Sequence, residues 1–196
     1  HALEFVSLLK QSAKIPWKAL GVSGSILAEL HTPASDIDPI VYGAENCHRL
    51  HSALSSLPCR GRGRIRFYRE EKELRVLFDF RSKDTNVSFE DFVRTESRKI
   101  LQGKYLQHDF FIRCVKEWNE TAERYGDVQY ANAGYAKIKA TITDASEAIF
   151  TPCSYKIENV QPLEGTAAPK QISEIVSFRG RFCEHGKNCD TRIPQG

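Results

Sequence analysis

The sequence predicts an α+β fold: a mixed sheet with helices on one side, followed by a small, mostly antiparallel β domain. Three observations support this. An apolar run at residues 17–22 passes through a glycine-serine turn into an acidic second strand. Apolar residues recur at helical spacing in several segments before residue 102. From residue 135 onward, apolar and polar residues alternate with the period of two that is typical of half-buried strands.

Length and composition indicate an ordinary folded chain that can build one good core or two small domains. Of its 196 residues, 41% are hydrophobic and 27% are charged, and the net charge is +3. So small a charge permits a nucleic-acid partner without requiring one. No apolar run approaches membrane-spanning length and the first residues lack a signal-peptide pattern, so we expect a cytoplasmic protein with no membrane partner.

The cysteines indicate a reducing compartment. There are six, scattered along the chain without a C-x-x-C pair, and a core of this size needs no disulfide framework. The chain also lacks methionine and begins at His1. We therefore expect it to be a piece of a longer protein, with its C-terminal β domain cut short.

Four segments have the amphipathic spacing of helices. The segment at residues 89–101 begins with a sequence that resembles a capping box, with Ser88 as N-cap and Asp91 in the usual place of glutamate. The segments are residues 2–13, 44–57, 70–80 and 89–101, the last of which is expected to end at Gly103.

The acidic strand contains Asp36 and Asp38, separated by Ile37 and followed by an apolar run. Side chains alternate between the faces of a strand, so the two carboxylates share one face while Ile37 points into the core. Two carboxylates this close repel each other unless a cation lies between them. Hard oxygen ligands of this kind suit Mg²⁺ or Mn²⁺.

The turn before this strand has the chemistry of a phosphate site. Gly24 lets the backbone approach a phosphate closely, and Ser25 adds a hydroxyl and a backbone N–H at a helix start. Together with two bound Mg²⁺ ions, such a site can position a triphosphate against an attacking hydroxyl. A third carboxylate is expected to complete it.

Two further segments can contribute to a site. Residues 108–116 are rich in strand formers, and Asp109 at their start either reaches a site on a neighbouring strand or only caps a turn. A glycine-interrupted arginine run either contacts phosphate or nucleic acid, or is a solvated basic connector. Its members are Arg60, Arg62, Arg64 and Arg66.

Composition changes at residues 125–134, and we place a domain boundary near residue 130, giving domains 1–130 and 131–196. Strands are expected at residues 135–143, 148–155, 155–163 and 175–183. They predict a small barrel or sandwich. An oligonucleotide-binding-like barrel would favour a nucleic-acid acceptor.

Gly24-Ser25, followed by Ser35-Asp36-Ile37-Asp38 on the next strand, resembles the signature of the DNA polymerase β-like nucleotidyltransferase superfamily. The resemblance implies that Asp36 and Asp38 bind catalytic metal and that the glycine-serine turn holds the nucleotide phosphates. Ser35 is assigned to nucleotide binding with this turn. The third aspartate that the family requires is Asp109 by position, with Asp79 in reserve.

A wider resemblance covers nearly the full chain. Together with that signature, Val41-Tyr-Gly43, Glu90-Asp-Phe-Val-Arg94 and Arg179-Gly-Arg-Phe182 resemble an uncharacterised archaeal group of nucleotidyltransferase-domain proteins. One position departs from the superfamily pattern: Pro39 stands where the family usually has an aliphatic residue. Because proline donates no ladder hydrogen bond and favours strand edges or bulges, we expect it to disturb the strand beside Asp38.

The resemblance implies a metal-dependent enzyme that moves a nucleoside monophosphate from an NTP to a hydroxyl acceptor, such as RNA, and releases pyrophosphate. One alternative is a catalytically inactive module of the same fold that binds RNA or nucleotide. Another is an enzyme that attaches AMP to a protein hydroxyl.

A zinc site is a weaker hypothesis for the C-terminal part. Cys183, His185 and Cys189, with Cys153, offer suitable ligands but match no standard spacing. The alternative is that these are buried thiols and a surface histidine.

Overall fold

The computed structural model describes residues 1–57, 63–83, 87–121, 124, 126–127, 129, 131–165 and 172–186. These residues form helices and small sheets, which confirms the predicted α+β class. The chain forms two compact units, His1–Leu77 with Phe89–Glu120 and Phe78–Ser88 with Thr121–Gly196. Within the described ranges, no helix is both long and apolar enough to cross a membrane.

The described helices follow the predicted amphipathic segments, with one short addition after the glycine-serine turn. They are α1 (Ala2–Ala13), α2 (Gly24–Leu27), α3 (Ala44–Ser55), α4 (Glu71–Arg81) and α5 (Phe89–Glu96).

The described residues of the first unit form two three-stranded sheets. The first is mixed, with order β1-β2-β6, and the second is antiparallel, with order β3-β4-β5. An isolated parallel bridge between Ile37 and Phe110 links them. The strands are β1 (Leu20–Val22), β2 (Pro39–Tyr42), β3 (Ile65–Arg66), β4 (Gln102–Tyr105), β5 (His108–Phe111) and β6 (Arg113–Val115).

Helices α1 and α3 pack together, and α3 contacts β2 and β6. The Phe5 ring of α1 lies 4.7 Å from the rings of both Tyr105 and Phe110. Leu50 of α3 and Val41 of β2 are fully buried. The apolar face predicted for each of these helices therefore covers one side of the sheets. Because side chains alternate along a strand, every second strand residue points to the side of the sheets away from these helices.

The predicted helix at residues 89–101 is too long, because α5 ends at Glu96. Glu96 is buried, pairs with Lys99 at 2.5 Å and accepts a hydrogen bond from Gln102. Residues from Gln102 onward then pair with β5. Gly103 is a strand residue rather than a helix stop, because it pairs with Phe110 of β5. A glycine is needed there, since a Cβ would lie 2.2 Å from the carbonyl oxygen of Arg66.

The second unit contains an antiparallel sheet of order β7-β8-β9. The strand predicted at residues 148–155 begins only at Cys153, because residues 146–149 form a turn. Ala148 in this turn is buried, and its carbonyl accepts a hydrogen bond from the Glu184 N–H at 2.8 Å. The strand predicted at 175–183 ends at Ser177. The described residues of this unit give three strands, not a closed barrel: β7 (Ala136–Asp144), β8 (Cys153–Gly165) and β9 (Glu174–Ser177).

Candidate functional site

Asp36 and Asp38 flank the residue that links the two sheets of the first unit. Ile37 is 2% exposed, and its N–H donates to the carbonyl of Asp109 at 2.9 Å while its own carbonyl accepts from Phe111 at 3.3 Å. Because side chains alternate along an extended segment, both aspartates point away from this buried isoleucine. We call the face of the sheets that carries Asp36, Asp38 and Asp109 the carboxylate face.

Asp109 joins the pair through strand register. Ile37 pairs in parallel with Phe110, so Asp36 and Asp109 are neighbours across the two strands and their side chains share a face. On its other side, Asp109 pairs with Lys104 of β4. The expected strand position of Asp109 is therefore observed, whereas Asp79 lies on the exposed surface of α4, a helix.

The glycine-serine turn packs directly on Asp38. The Ser23 N–H donates to the carbonyl of Asp38 at 2.9 Å. Gly24 follows with φ of +66°, and a Cβ on it would lie 2.4 Å from Oδ2 of Asp38. Gly24 is thus required both by its backbone conformation and by the carboxylate beside it. Ser25 lies in the single turn of α2 that starts at this glycine.

The electrostatics of Asp38 reflect its partial burial and the carboxylate beside it. Partial burial raises the pKa of Asp38, the neighbouring Asp36 carboxylate raises it further, and Arg113 offsets part of the rise. The charged form of Asp38 is therefore held in an unfavourable environment, which a bound divalent cation would relieve. Carboxylate oxygens are also the donors that Mg²⁺ and Mn²⁺ prefer.

The third carboxylate is already engaged. Oδ1 of Asp109 accepts a hydrogen bond from the hydroxyl of Tyr68 at 2.5 Å and lies 2.6 Å from the Lys104 ammonium. Both of these contacts lie on Oδ1 of Asp109. No three His, Cys, Asp or Glu side chains within the described ranges, the predicted set of Asp36, Asp38 and Asp109 included, are grouped closely enough to hold a metal ion.

Sequence reasoning missed both partners of Asp109. Lys104 and Asp109 face each other across a tight hairpin whose turn contains Leu106 at φ of +55°. That turn has no Asn-Gly, Asp-Gly or Gly-X pair, the usual signal of a two-residue hairpin. The five-residue spacing between Lys104 and Asp109 was the remaining sign in the sequence that these two side chains could meet across a hairpin.

Pro39 leaves the strand register unchanged. Ile37 pairs with Phe110 before it and Ile40 pairs with Arg113 after it, so the same offset holds on both sides. Pro39 is fully buried and lies in the gap between the isolated bridge and the continuous β2–β6 pairing. The disturbance expected at Pro39 is therefore a local break in the hydrogen bonding between the paired strands. Asp38 is not shifted along the neighbouring strand.

Ser35 directly precedes Asp36 and is half-buried. Its hydroxyl accepts a hydrogen bond from the Thr32 N–H at 2.9 Å. With Ile37 and His108 it lines a pocket of about 520 Å³, which also includes His31. Because these lining residues alternate with the aspartates along their strands, the pocket belongs to the opposite face of the sheet. The same pocket is lined by Ile26 of α2, the helix that starts at Gly24.

The arginine run is described only in part. Arg60 and Arg62 lie outside the described residues. Arg64 is exposed and donates to the hydroxyl of Tyr105 at 3.4 Å. Arg66 pairs in register with Lys104 on the carboxylate face and forms an ion pair with Glu73 at 3.3 Å.

The predicted zinc ligands have other partners where they are described. The Cys183 thiol donates to the carbonyl of Phe150 at 3.2 Å and the Cys153 thiol to that of Ser177 at 3.5 Å. His185 is buried rather than on the surface, and its Nε2 lies 3.1 Å from the carbonyl oxygen of Arg181. Cys189 lies outside the described residues.

The chain is similar to an uncharacterised protein of Methanocaldococcus jannaschii. The two are 30% identical over 199 aligned positions, which cover 97% of this chain and 53% of the relative. The chain thus spans about half the length of the curated relative that it matches. No protein-family model and no solved structure matches the chain.

Proposed function

We propose that the protein is a nucleotidyltransferase of the DNA polymerase β-like type, which transfers a nucleoside monophosphate from an NTP to a hydroxyl acceptor. The observation that carries the proposal is the packing of Asp38 on the Gly24 turn, with Asp36 beside it and Asp109 in register on the parallel neighbour. The proposal thus combines a carboxylate pair that suits a cation with a turn that admits a phosphate.

The proposed roles follow from these positions. Asp36 and Asp38 would hold Mg²⁺ or Mn²⁺, which would neutralise charge on the triphosphate and activate the attacking hydroxyl, and Asp109 would complete the site once the three carboxylates close around the ion. The Gly24–Ser25 turn holds the phosphates. The acceptor oxygen forms a bond to the α-phosphorus, the α–β phosphoanhydride bond breaks, and pyrophosphate leaves. Asp109 accepts the hydroxyl proton and passes it to solvent.

Calorimetric titration of Mn²⁺ with a non-hydrolysable ATP analogue tests the donor site. We expect the Asp36→Ala/Asp38→Ala double variant to lose at least roughly 100-fold in Mn²⁺ affinity, since even residues that only orient metal ligands change affinity by 10–100-fold. Asp91→Ala, on α5, is the matched control and should bind as wild type does. Nucleotide binding that ignores both metal and the two aspartates would contradict the proposal.

One observation favours a second candidate, a non-catalytic module of this fold that binds nucleotide or RNA. The Lys104 ammonium lies 2.6 Å from the carboxylate that the enzyme needs as its third ligand. If Lys104 neutralised Asp109 permanently, the protein would still bind nucleotide or RNA but could not transfer a nucleoside monophosphate. Release of pyrophosphate from an NTP, measured with candidate hydroxyl acceptors including short RNAs, distinguishes the two functions.

A further inference from the structure

We infer that the pocket lined by Ser35, Ile37 and His108 binds a nucleobase that carries an exocyclic amine, such as adenine or cytosine. This pocket is separate from the carboxylates, because it lies on the opposite face of the sheet. Its preference for a planar ring that donates a hydrogen bond follows from its own lining. The choice of a nucleobase among such rings rests on the proposed function.

The first step is the shape of the pocket. Its volume of about 520 Å³ is within the usual range for small-molecule sites. The lining includes the buried Ile37 and also Leu3 and Pro33, which are exposed, so the pocket has an apolar interior and opens to solvent. Such a pocket fits a flat ring inside and a polar substituent, such as a ribose, at its mouth.

The second step is the aromatic surface that the imidazole rings supply. His1, His31 and His108 all line the pocket. The ring centroids of His1 and His108 are 5.2 Å apart, with 42° between the ring planes. Nucleobases stack on aromatic side chains, histidine included, and every base has a face that can do so. The histidines therefore favour a planar aromatic ligand over an aliphatic one.

The third step is the hydrogen-bonding character of His108. Its Nδ1 lies 3.3 Å from the carbonyl oxygen of Ser35, which can only accept, so Nδ1 carries the ring proton. In the neutral imidazole, Nε2 is then an acceptor, and no described residue donates a hydrogen bond to it. An acceptor in the lining favours a ligand that donates, as the amine of adenine or cytosine does.

The lining also disfavours the phosphates of a nucleotide as the bound group. Apart from its histidines, the described residues that line the pocket carry no ionisable side chain. The Ser35 hydroxyl already accepts from the Thr32 N–H, and the Thr32 hydroxyl lies 3.4 Å from it. Because phosphate sites depend on lysine, arginine or converging backbone N–H groups, the pocket suits the base of a nucleotide.

Helix α2 connects the pocket to the proposed phosphate turn. Gly24 begins the helix beside Asp38, and Ile26 of the same helical turn lines the pocket. The base therefore comes either from the donor NTP or from a nucleotide of the acceptor. Both sources present the same chemical group to the pocket.

The experiment is calorimetric titration of the full chain, without metal, with nucleosides that carry no phosphate. Adenosine and cytidine have the amine, whereas purine riboside and pyrimidin-2-one riboside are the same rings without it. We expect wild type to bind adenosine or cytidine about five- to tenfold more tightly than its amine-free analogue, the effect of one neutral hydrogen bond. A recess left by imperfect packing would show no preference for the amine.

Substitution of His108 assigns that preference to the pocket. His108→Phe keeps an aromatic ring and removes Nε2, so it should bind the nucleoside and its amine-free analogue equally. His48→Phe, on the exposed surface of α3, is the matched control and should keep the wild-type preference. Circular dichroism checks folding, and His108→Leu, which also lacks the acceptor, replaces His108→Phe if that variant does not fold.

The inference is wrong if wild type binds none of these nucleosides, or binds them equally with and without the amine. It is also wrong if the preference survives in His108→Phe. These results leave the proposed function untouched, since the Mn²⁺ titration of Asp36→Ala/Asp38→Ala tests it separately.

If the preference is found and depends on His108, a second titration identifies the source of the base. The corresponding non-hydrolysable NTP analogue is titrated with Mn²⁺ into protein saturated with the nucleoside. Exclusion of the analogue assigns the pocket to the donor nucleotide, and simultaneous binding assigns it to the acceptor. Both results support the inference.

Discussion

At the scale of single residues, the candidate site depends on a contact between a glycine and a carboxylate. Gly24 has φ of +66°, and Oδ2 of Asp38 occupies the position next to its missing side chain. The glycine-serine turn and the segment that carries Asp38 are therefore packed against each other. A change at one of them is transmitted directly to the other.

We predict that Gly24→Ala destabilises the protein by about 1–3 kcal/mol and weakens Mn²⁺ binding, because the methyl group strains the backbone and displaces Asp38. Chemical denaturation measures the first effect and calorimetry the second. Gly43→Ala is the matched control, since its φ is +88° but its Cβ would meet the side-chain amide of Asn46 at 3.2 Å and Cγ of Glu117 at 3.8 Å, and no carboxylate oxygen. Equal effects of the two variants on metal affinity would show that contact with Asp38 is unimportant.

At the scale of secondary-structure elements, α3 begins without a capping side chain of its own. Its N-cap is Gly43, and the Ala44 N–H donates instead to both carboxylate oxygens of Glu120, at 2.9 and 3.1 Å. Glu120 also accepts from the Glu117 N–H at 2.8 Å. These backbone hydrogen bonds lower the pKa of Glu120. A residue distant in sequence thus satisfies a helix terminus.

We predict that Glu120→Ala lowers the free energy of unfolding by about 0.5 kcal/mol at pH 7, a capping effect reduced by solvent screening. A depressed carboxyl pKa stabilises the fold above the unfolded value of 4.5 and loses that effect as pH falls through the folded value. The difference in the free energy of unfolding between wild type and Glu120→Ala should therefore become smaller as the pH falls below 4.5.

Urea denaturation at pH 7 and in steps below pH 4.5 checks this, with Glu120→Gln as the conservative variant. The glutamine keeps an acceptor oxygen but no charge, so it should recover part of the stability and remove most of the pH dependence. If Glu120→Ala lost the same free energy of unfolding at every pH, the effect would come from packing instead of charge.

At the scale of the whole molecule, the carboxylate site lowers the stability of the unit that contains it. Partial burial and the neighbouring Asp36 raise the pKa of Asp38, so the folded protein binds that proton more tightly than the unfolded chain does. Stability then falls as pH rises from the unfolded value of 3.8 to the raised folded value. Such a cost is common where a site is built for ligand binding.

We predict that Asp38→Asn is more stable than wild type at pH 7 in the absence of metal, by no more than about 0.5 kcal/mol because solvent screens this half-exposed carboxylate. The asparagine has no proton to lose, so its advantage should grow through the window above pH 3.8 and vanish below it. Denaturation curves at pH 3.5 and pH 7 measure this, with Asp91→Asn as a control that should show no such gain. A destabilised Asp38→Asn at pH 7 would mean that the carboxylate makes favourable contacts that outweigh its burial.

The sequence by itself determined the local features. Apolar spacing identified α1 with its observed bounds, and the alternation of Ile37 with Asp36 and Asp38 placed the two carboxylates on one face. These features depend on neighbours within a few positions, so the residues themselves encode them. The same holds for Gly24, whose conformation and small size are properties of one residue.

Only the tertiary structure decided which residues meet across strands. It ended α5 at Glu96, because Gln102 to Tyr105 gain a partner strand. It placed Ser35 on the face opposite the carboxylates, and it set Lys104 and Tyr68 on Asp109. Such contacts depend on register, and register follows from the packing of a whole face rather than from any local pattern. The partners of the third carboxylate were therefore fixed by the fold alone.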